Sequence, residues 1–282
     1  MQSSATPNPH EACRQKEVYS VGYDAPTAGF FSDRRAVTHA AFFLPHLQRG
    51  MTLLDGGCGP GTITMDLATA VSPGAVVGID IEPHQITLAR AHAAQRDISN
   101  LHFAVATLYA LPFPTASFDA VFLHGVLEHL QAPLAAIGEV HRVLKRGGVL
   151  GIRHADFGGF LLEPAPPPLD QFAALFERLM VHNGTDPQAG RHQLRWLRES
   201  GFARIIVSAS YDCWTRTPED TRRNAAFLAS LVGTSAFARQ LVEAKLVDKA
   251  TLEQMRQGFL EWGRHPHAFA AEAWGEAVAW KP

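Results

Sequence analysis

Residues 53–62 read LLDGGCGPGT: two apolar positions, an acid, and glycines at Gly56, Gly57, Gly59 and Gly61. The stretch completes the apolar segment MTLLDGG (51–57) and opens the helical pattern ITMDLATAV (63–71). A glycine-rich turn between a strand and a helix is the setting in which such a loop carries a ligand. Gly57, Gly59 and Gly61 let the backbone turn tightly and approach a bound group where a Cβ would intrude. Amides exposed at the helix start can meet a carboxylate or a phosphate. About 20 residues further on, Asp80 stands near the end of the apolar run AVVGIDI (75–81). A carboxylate there can accept both hydroxyls of an adenosine ribose.

Two cofactor classes share that geometry. A dinucleotide fingerprint spaces its glycines as GxGxxG, the third permitting close helix–strand packing. Here Thr62 stands where that third glycine would fall, and Asp55 precedes the glycines. A carboxylate at that point would repel a pyrophosphate but suits the ammonium of an amino acid. Such an ammonium belongs to the methionine tail of S-adenosylmethionine.

Working outward from the loop, strands and helices alternate. LHFAVA (101–106), FDAVFLHG (118–125) and GGVLGIRHA (147–155) are apolar runs of strand length. Between the strands lie the helical stretches HQITLARAHAAQR (84–96) and APLAAIGEVHRVLK (132–145). Continuous apolar strands separated by helices describe a parallel sheet buried on both faces, and right-handed crossovers leave a doubly wound fold. Upstream, SDRRAVTHAAFFLPHLQRG (32–50) has helical spacing, with Ser32 placed to cap it and Gly50 to stop it. After His154 the rhythm breaks. FGGFLLEPAPPPL (157–169) is rich in Gly and Pro and is not expected to continue a helix or a central strand. Helical DQFAALFERLMVH (170–182) and RHQLRWLRESGF (191–202) follow, then strand-like RIIVSASY (204–211), a mostly helical stretch, and a last strand in HAFAAEAWGEAVAW (267–280).

The expected fold is therefore α/β: a doubly wound, mostly parallel seven-stranded sheet with helical insertions forming a cap. The division it predicts is an N-terminal arm or lid over 1–31, a cofactor-binding core over 32–156 and a cap insertion over 157–190. Core resumes over 191–216, a helical cap insertion follows over 217–263, and the last core strand lies within 264–282.

The run from about Arg35 to Asp156 resembles the class I S-adenosylmethionine-dependent methyltransferases. It is most similar to the ubiquinone and menaquinone C-methyltransferases and to natural-product methyltransferases. Beyond the glycine loop, LPFPTASFD (111–119), VLEHL (126–130) and EVHRVLKRGG (139–148) carry the resemblance, each in the expected order. It implies a Rossmann-like methyltransferase fold with S-adenosylmethionine as cofactor and S-adenosylhomocysteine as product. It also implies that Asp55, Gly57 and Gly59 surround the methionine moiety, that Asp80 holds the ribose and that Ile81 packs on the adenine; Cys58, most simply a small buried residue, and Gly61 complete the cofactor-binding loop. Many relatives carry an Asp at the position of Thr107. Here a hydroxyl and the Leu108 amide are left to meet the adenine.

Several residues are candidates for work beyond the cofactor. His124 ends the fourth strand and is expected near the sulfonium. Glu128 and His129, just after it, fit a loop-holding role better than a reactive one. His154 and Asp156 stand at the end of the fifth strand, where ligands gather in doubly wound sheets. His154 is the first choice for a general base and His124 the second, since an imidazole can take a proton near neutral pH. A histidine fixed by structure alone is the competing reading for both. Tyr19 and Tyr23 could close over the cofactor as a lid. Phe157, Phe160, Trp196, Trp214, Phe259 and Trp262 fall largely in or beside the insertions and would build an apolar acceptor pocket, as well as core.

Composition narrows the partners. Of 282 residues 46% are hydrophobic and 18% charged, with a net charge of −2, so no basic face recommends nucleic acid or an anionic membrane. The sequence has no uninterrupted apolar run of about 18 residues, so no membrane span is expected. Three widely spaced cysteines suit a reducing cytoplasm, and the fourteen histidines show no metal-ligand spacing. No [DN]PP[YF] follows the fourth strand, where enzymes methylating amino groups of nucleic acids place it. What is left is transfer of a methyl group to a C, N or O atom of a small, apolar metabolite or natural product, with room for a homo-oligomer. An NAD(P)-dependent oxidoreductase and a non-catalytic S-adenosylmethionine-binding protein are the competing readings.

Overall fold

Each short apolar run takes its place in one seven-stranded sheet of order β3-β2-β1-β4-β5-β7-β6. The computed structural model describes residues 18–22, 32–96 and 98–282. The strands are β1 (Leu53–Gly56), β2 (Val76–Asp80), β3 (Leu101–Val105), β4 (Phe118–His124), β5 (Leu144–Glu163), β6 (Arg204–Cys213) and β7 (Phe269–Trp280). β1 to β5 pair in parallel, while β7 runs antiparallel between β5 and β6. β1 hydrogen-bonds to both β2 and β4, so the winding reverses there. The loops leaving β1 and β4 diverge and open a crevice at their carboxyl ends.

Helices cover both faces, as an apolar parallel sheet requires. They are α1 (Ala36–His39), α2 (Thr62–Val71), α3 (Pro83–Ala94), α4 (Pro133–Val143), α5 (Phe172–His182) and α6 (Ala189–Glu199), followed by α7 (Pro218–Gly233), α8 (Ala236–Glu243) and α9 (Lys249–Trp262). Strand alternation feeds two cores: Leu53 and Val76 pack on one side of the sheet, Leu54 and Ile79 on the other. A third apolar cluster joins α5 with α7, α8 and α9, so the two helical segments form a single cap. By length and composition Pro218–Glu243 would reach across a bilayer. Here it is two helices, α7 and α8, and half of its apolar window is buried.

Two expectations fail. The helix expected over 32–50 shrinks to the four residues of α1 and a 3-10 turn at Leu44–His46. Pro45 cannot donate within a helix and sits instead at the start of the turn. Arg35, not Ser32, takes the N-cap position, and the Asp66 carboxylate reaches across from α2 to accept from the Ala36 amide at 2.9 Å. The second failure is β5, which continues through the Gly-rich segment to Glu163. Its pairing with β4 ends at Arg153, so beyond that point it bonds β7 alone. The register with β7 shifts between Asp156 and Leu161, and this bulge absorbs Gly158 and Gly159.

Candidate active site

The crevice at the switch point is a cavity of about 580 Å³, within the range of small-molecule sites. The turn after β1 forms one wall, with Asp55, Gly57, Cys58 and Gly59 in contact with the space. Gly57 and Gly59 have φ of 74° and 51°, left-handed values that an L side chain adopts only under strain. A Cβ at Gly59 would meet no protein atom within 4 Å and would project into the open crevice. At Gly57 it would strike Val126. Gly61 differs from both: it caps α2 at φ 78°, and a Cβ there would meet Phe103 at 2.8 Å and Ala89 at 2.9 Å. Gly61 is not in the cavity wall. It supplies close helix–sheet packing, the role of the third glycine in a dinucleotide loop, one position earlier.

The Asp55 carboxylate is buried, and Thr64 Oγ1 donates to it at 2.6 Å. Burial, with the Asp80 charge adding to it against the Thr64 hydrogen bond, pushes the Asp55 carboxyl up to about 7. A carboxylate so short of counter-charge at a cavity wall is a place for a ligand cation. Asp80 is held by the Gly59 amide on one oxygen and the Glu82 amide on the other, both at 2.9 Å. Each oxygen keeps a further lone pair for a hydroxyl. Burial raises the Asp80 carboxyl as well, against those two amides. Next to it Ile81 is 59% exposed and Val105 52% exposed, both on the cavity wall, an apolar shelf for a flat ring. Thr107 and Leu108 also line the space, with the Thr107 hydroxyl accepting from the Tyr109 amide at 3.2 Å. Taken together, the wall suits one ligand bearing a cation, a diol and a planar group.

The other end of the crevice is built from charge. His124, Arg153, Glu276 and Ser208 are direct register partners across β4, β5, β7 and β6, one rung of the sheet. Arg153, 1% exposed, lies 2.9 Å from His124 Nε2, donates to Glu276 at 3.2 Å and to Asp212 at 2.8 Å, and stands 4.3 Å from the Trp274 ring centre. Burial alone would raise Asp212, but Arg153 beside it, with His39 and Arg34, holds it below the usual carboxylate range. His124 stacks on Trp274, with 4.9 Å between ring centroids. Burial, then the charges of Arg34 and Arg153, push it well below its ordinary value.

A second, smaller cavity of about 60 Å³ adjoins the first, and both are lined by Tyr19, Arg34, Gly125 and His129. Tyr19 meets His129 edge-on at 4.6 Å. The rest of the smaller cavity is largely aromatic, with Phe157, Phe160, Phe172, Phe176, Trp214 and Phe227 among its walls. Glu128 and Glu272 are its buried acids.

Both histidines expected to act as a base are corrected by this geometry. His154 is fully buried and lines neither cavity. Along β5 the residues lining the smaller cavity are Ala155 and Phe157, so alternation turns His154 and Asp156 to the opposite face. His154 Nδ1 pairs with Glu128 at 2.9 Å, not with Asp156, and Asp156 is bound bidentately by Arg191 at 2.6 Å. Burial would raise Glu128, but the charge and hydrogen bond of His154 hold it down to about 2. His124 does reach the cofactor-side cavity, but burial and then two guanidiniums hold its imidazole well below its ordinary value, which makes it a poor proton acceptor. Of the two lid tyrosines, Tyr19 stands between the cavities and Tyr23 lies outside the described residues. Trp196, Phe259 and Trp262 are core residues that line neither cavity. The sequence reading missed Arg34, Arg153, Glu272 and Trp274. Arg153 in an otherwise apolar strand, and Glu272, Trp274 and Glu276 at every second residue, were its available signals.

Comparison with known proteins adds a family to this geometry. Residues 47–199 match the methyltransferase domain family. An uncharacterized methyltransferase of Schizosaccharomyces pombe is 34% identical over 213 residues, 73% of this chain and 76% of that protein. A demethylmenaquinone methyltransferase of Lactococcus lactis is 30% identical over 64% of this chain and 67% of its own. Among solved structures, the YcgJ protein of Bacillus subtilis superposes with a TM-score of 0.53 at 19% identity, covering 86% of this chain and 97% of its own.

Proposed function

The chain belongs to the S-adenosylmethionine-dependent methyltransferases, and from that premise we propose that its two adjoining cavities divide the reaction between cofactor and acceptor. The larger takes S-adenosylmethionine and the smaller takes part of a small apolar acceptor. The observation that carries this reading is their shared wall at Tyr19, Arg34, Gly125 and His129, across which two ligands would lie end to end. The cofactor supplies an electrophilic methyl group on a sulfonium.

The chain's residues fit that cofactor. Asp55 offers a buried carboxylate to the ammonium, Asp80 offers its free lone pairs to the ribose hydroxyls, and Ile81 with Val105 offers an apolar face to the adenine. Gly59 leaves the space that the methionine tail needs. No residue need bond to the methyl group: the fold aligns the two ligands and keeps out water, and alignment is the largest contribution available to a displacement of this kind. His124, locked to Arg153 and Trp274, forms a rigid neutral floor under the junction.

The acceptor class follows from the walls. A space of about 60 Å³ holds about four to six water-sized groups, enough for one ring or a short hydrocarbon arm. The quinone-directed name of the Lactococcus relative fits an acceptor of that kind. The unpaired thiols of Cys58 and Cys213 fit the cytoplasm.

Filling the smaller cavity tests the division. Ala173→Trp places an indole among its aromatics, and methyl transfer to a panel of phenols and quinols should fall at least a hundredfold. Transfer at the wild-type rate would place the acceptor elsewhere.

A further inference from the structure

Glu272 has no part in holding the cofactor, yet it lines the smaller cavity, as does Glu128, whose carboxylate is taken by His154. It sits on β7 opposite the bulge in β5, where the register between the two strands is interrupted. On its other side it faces Asp212 of β6. A bulge of this kind re-aims side chains and is frequent beside active sites. Glu276, four residues along β7 on the same face, has its carboxylate occupied by Arg153, Ser208 and Ser210. The Glu272 carboxyl, by contrast, has no hydrogen-bond partner among the described residues and lines the cavity. A buried carboxyl in that condition is costly unless a ligand completes it.

We propose that Glu272 is the catalytic proton acceptor for a hydroxyl carried on an aromatic ring of the acceptor. The proposal rests on the reading that the smaller cavity receives the acceptor. The aromatic walls suit the ring, and the carboxylate accepts the O–H. Arg34, which lines both cavities, decides between a hydroxyl and an amine: its guanidinium repels an ammonium and favours the negative charge that grows on a phenol oxygen. In the step the acceptor O–H bond breaks and its proton passes to Glu272. The oxygen pair then forms the bond to the methyl carbon, and the carbon–sulfur bond breaks with its electrons left on sulfur.

The surroundings make Glu272 a base for that task. Burial, with the charges of Asp212 and Glu128 adding to it, pushes its carboxyl up to about 8 against the pull of Arg34 and Arg153. The other groups at the cavity, Tyr19 and His129, face it from the arm and from the 3-10 turn at Leu127–His129. A base with that value accepts from a phenol far better than an ordinary carboxylate does. Since only the ionised carboxylate can accept, turnover should rise with pH through about 8.

The test begins without cofactor. Binding of 4-fluorophenol and of fluorobenzene to the full chain is read by fluorine NMR at pH 9. The wild type should prefer the phenol at least tenfold, and Glu272→Gln should reduce that preference at least threefold. Turnover is then measured over phenols of graded acidity. Glu272→Gln should lose about a hundredfold or more on the least acidic, little on those already ionised, and the rise through pH 8 should vanish. Equal binding of the two probes by the wild type would overturn the role of Glu272 while leaving the cavity as the acceptor site. Failure of both probes to bind would overturn the cavity reading itself. Wild-type turnover by Glu272→Gln on the least acidic phenols would also exclude Glu272 as the base.

Discussion

The two ends of the active-site crevice are built on different principles. At the β1–β2 end the two ligand-facing carboxylates, Asp55 and Asp80, come from one turn and the tip of one neighbouring strand, the first held by the Thr64 hydroxyl and the second by backbone amides. At the β4–β5–β7–β6 end the groups are 29 to 123 residues apart in the chain, and they hold one another through buried charge. The first end can be written as a short motif because its geometry is local. The second exists only once β7 inserts between β5 and β6 and brings Glu272 and Glu276 alongside Arg153 and Asp212. A cofactor common to a whole family suits the local device. An acceptor that differs from member to member suits the device that β6, β7 and the cap can rebuild without disturbing the glycine loop.

The largest expected effect falls at the charged end. Arg153→Met strips a buried guanidinium from Glu276 and Asp212 and should cost about 3–5 kcal/mol of stability in chemical denaturation. If the two ends are independent, the folded fraction should still bind S-adenosylhomocysteine within about threefold of wild type. A parallel loss of affinity would break the comparison. His154→Ala belongs to the same class, since it leaves Glu128 buried without its partner. It should lower stability by a similar amount and leave the pH–rate profile unchanged in shape.

Smaller effects belong to the cofactor end. Asp80→Ala should weaken S-adenosylhomocysteine by about 1.5–3 kcal/mol, the worth of hydrogen bonds to a charged acceptor, with little change in unfolding. Affinity should also depend on pH in a set direction. The Asp55 carboxyl, held at about 7 when the crevice holds no ligand, must be ionised to pair with an ammonium. Binding below pH 7 therefore expels a proton, and affinity should drop about tenfold for each unit below it and level off above. Calorimetry in buffers of different ionisation enthalpy would detect that proton. Least of all, Thr64→Val removes the 2.6 Å hydrogen bond that favours the ionised form. The midpoint of that dependence should move up by about one unit or less.

What could be read in advance follows the same division. The parallel strands, the glycine turn after β1 and the place of Asp80 at the end of β2 were legible because apolar runs and glycine spacing act over a few residues. The helix expected over 32–50 was wrong because Pro45 counts for more than the apolar spacing around it. β5 was cut short because Gly158 and Gly159 read as a loop, whereas a bulge takes them up once only β7 is left as a partner. His154 was misplaced for a subtler reason. The two-residue period shows that 153 and 154 point to opposite faces, but it does not say which face the acceptor shares. That choice is made by β7, more than a hundred residues later. Arg34 and Glu272 were missed for the same cause: their surroundings are assembled from distant parts of the chain.

The independence of the two cavities is the centre of this account, and titration with S-adenosylhomocysteine reaches it most directly. Gly59→Val and Ala173→Trp each place bulk in one cavity: a Cβ at Gly59 meets no protein atom within 4 Å, and Ala173 lines the smaller cavity. Measured side by side in the calorimeter, Gly59→Val should bind at least about a hundredfold more weakly than wild type, about 2.7 kcal/mol. Ala173→Trp should bind within threefold of wild type. Equal loss in both variants, or full affinity in Gly59→Val, would contradict the account.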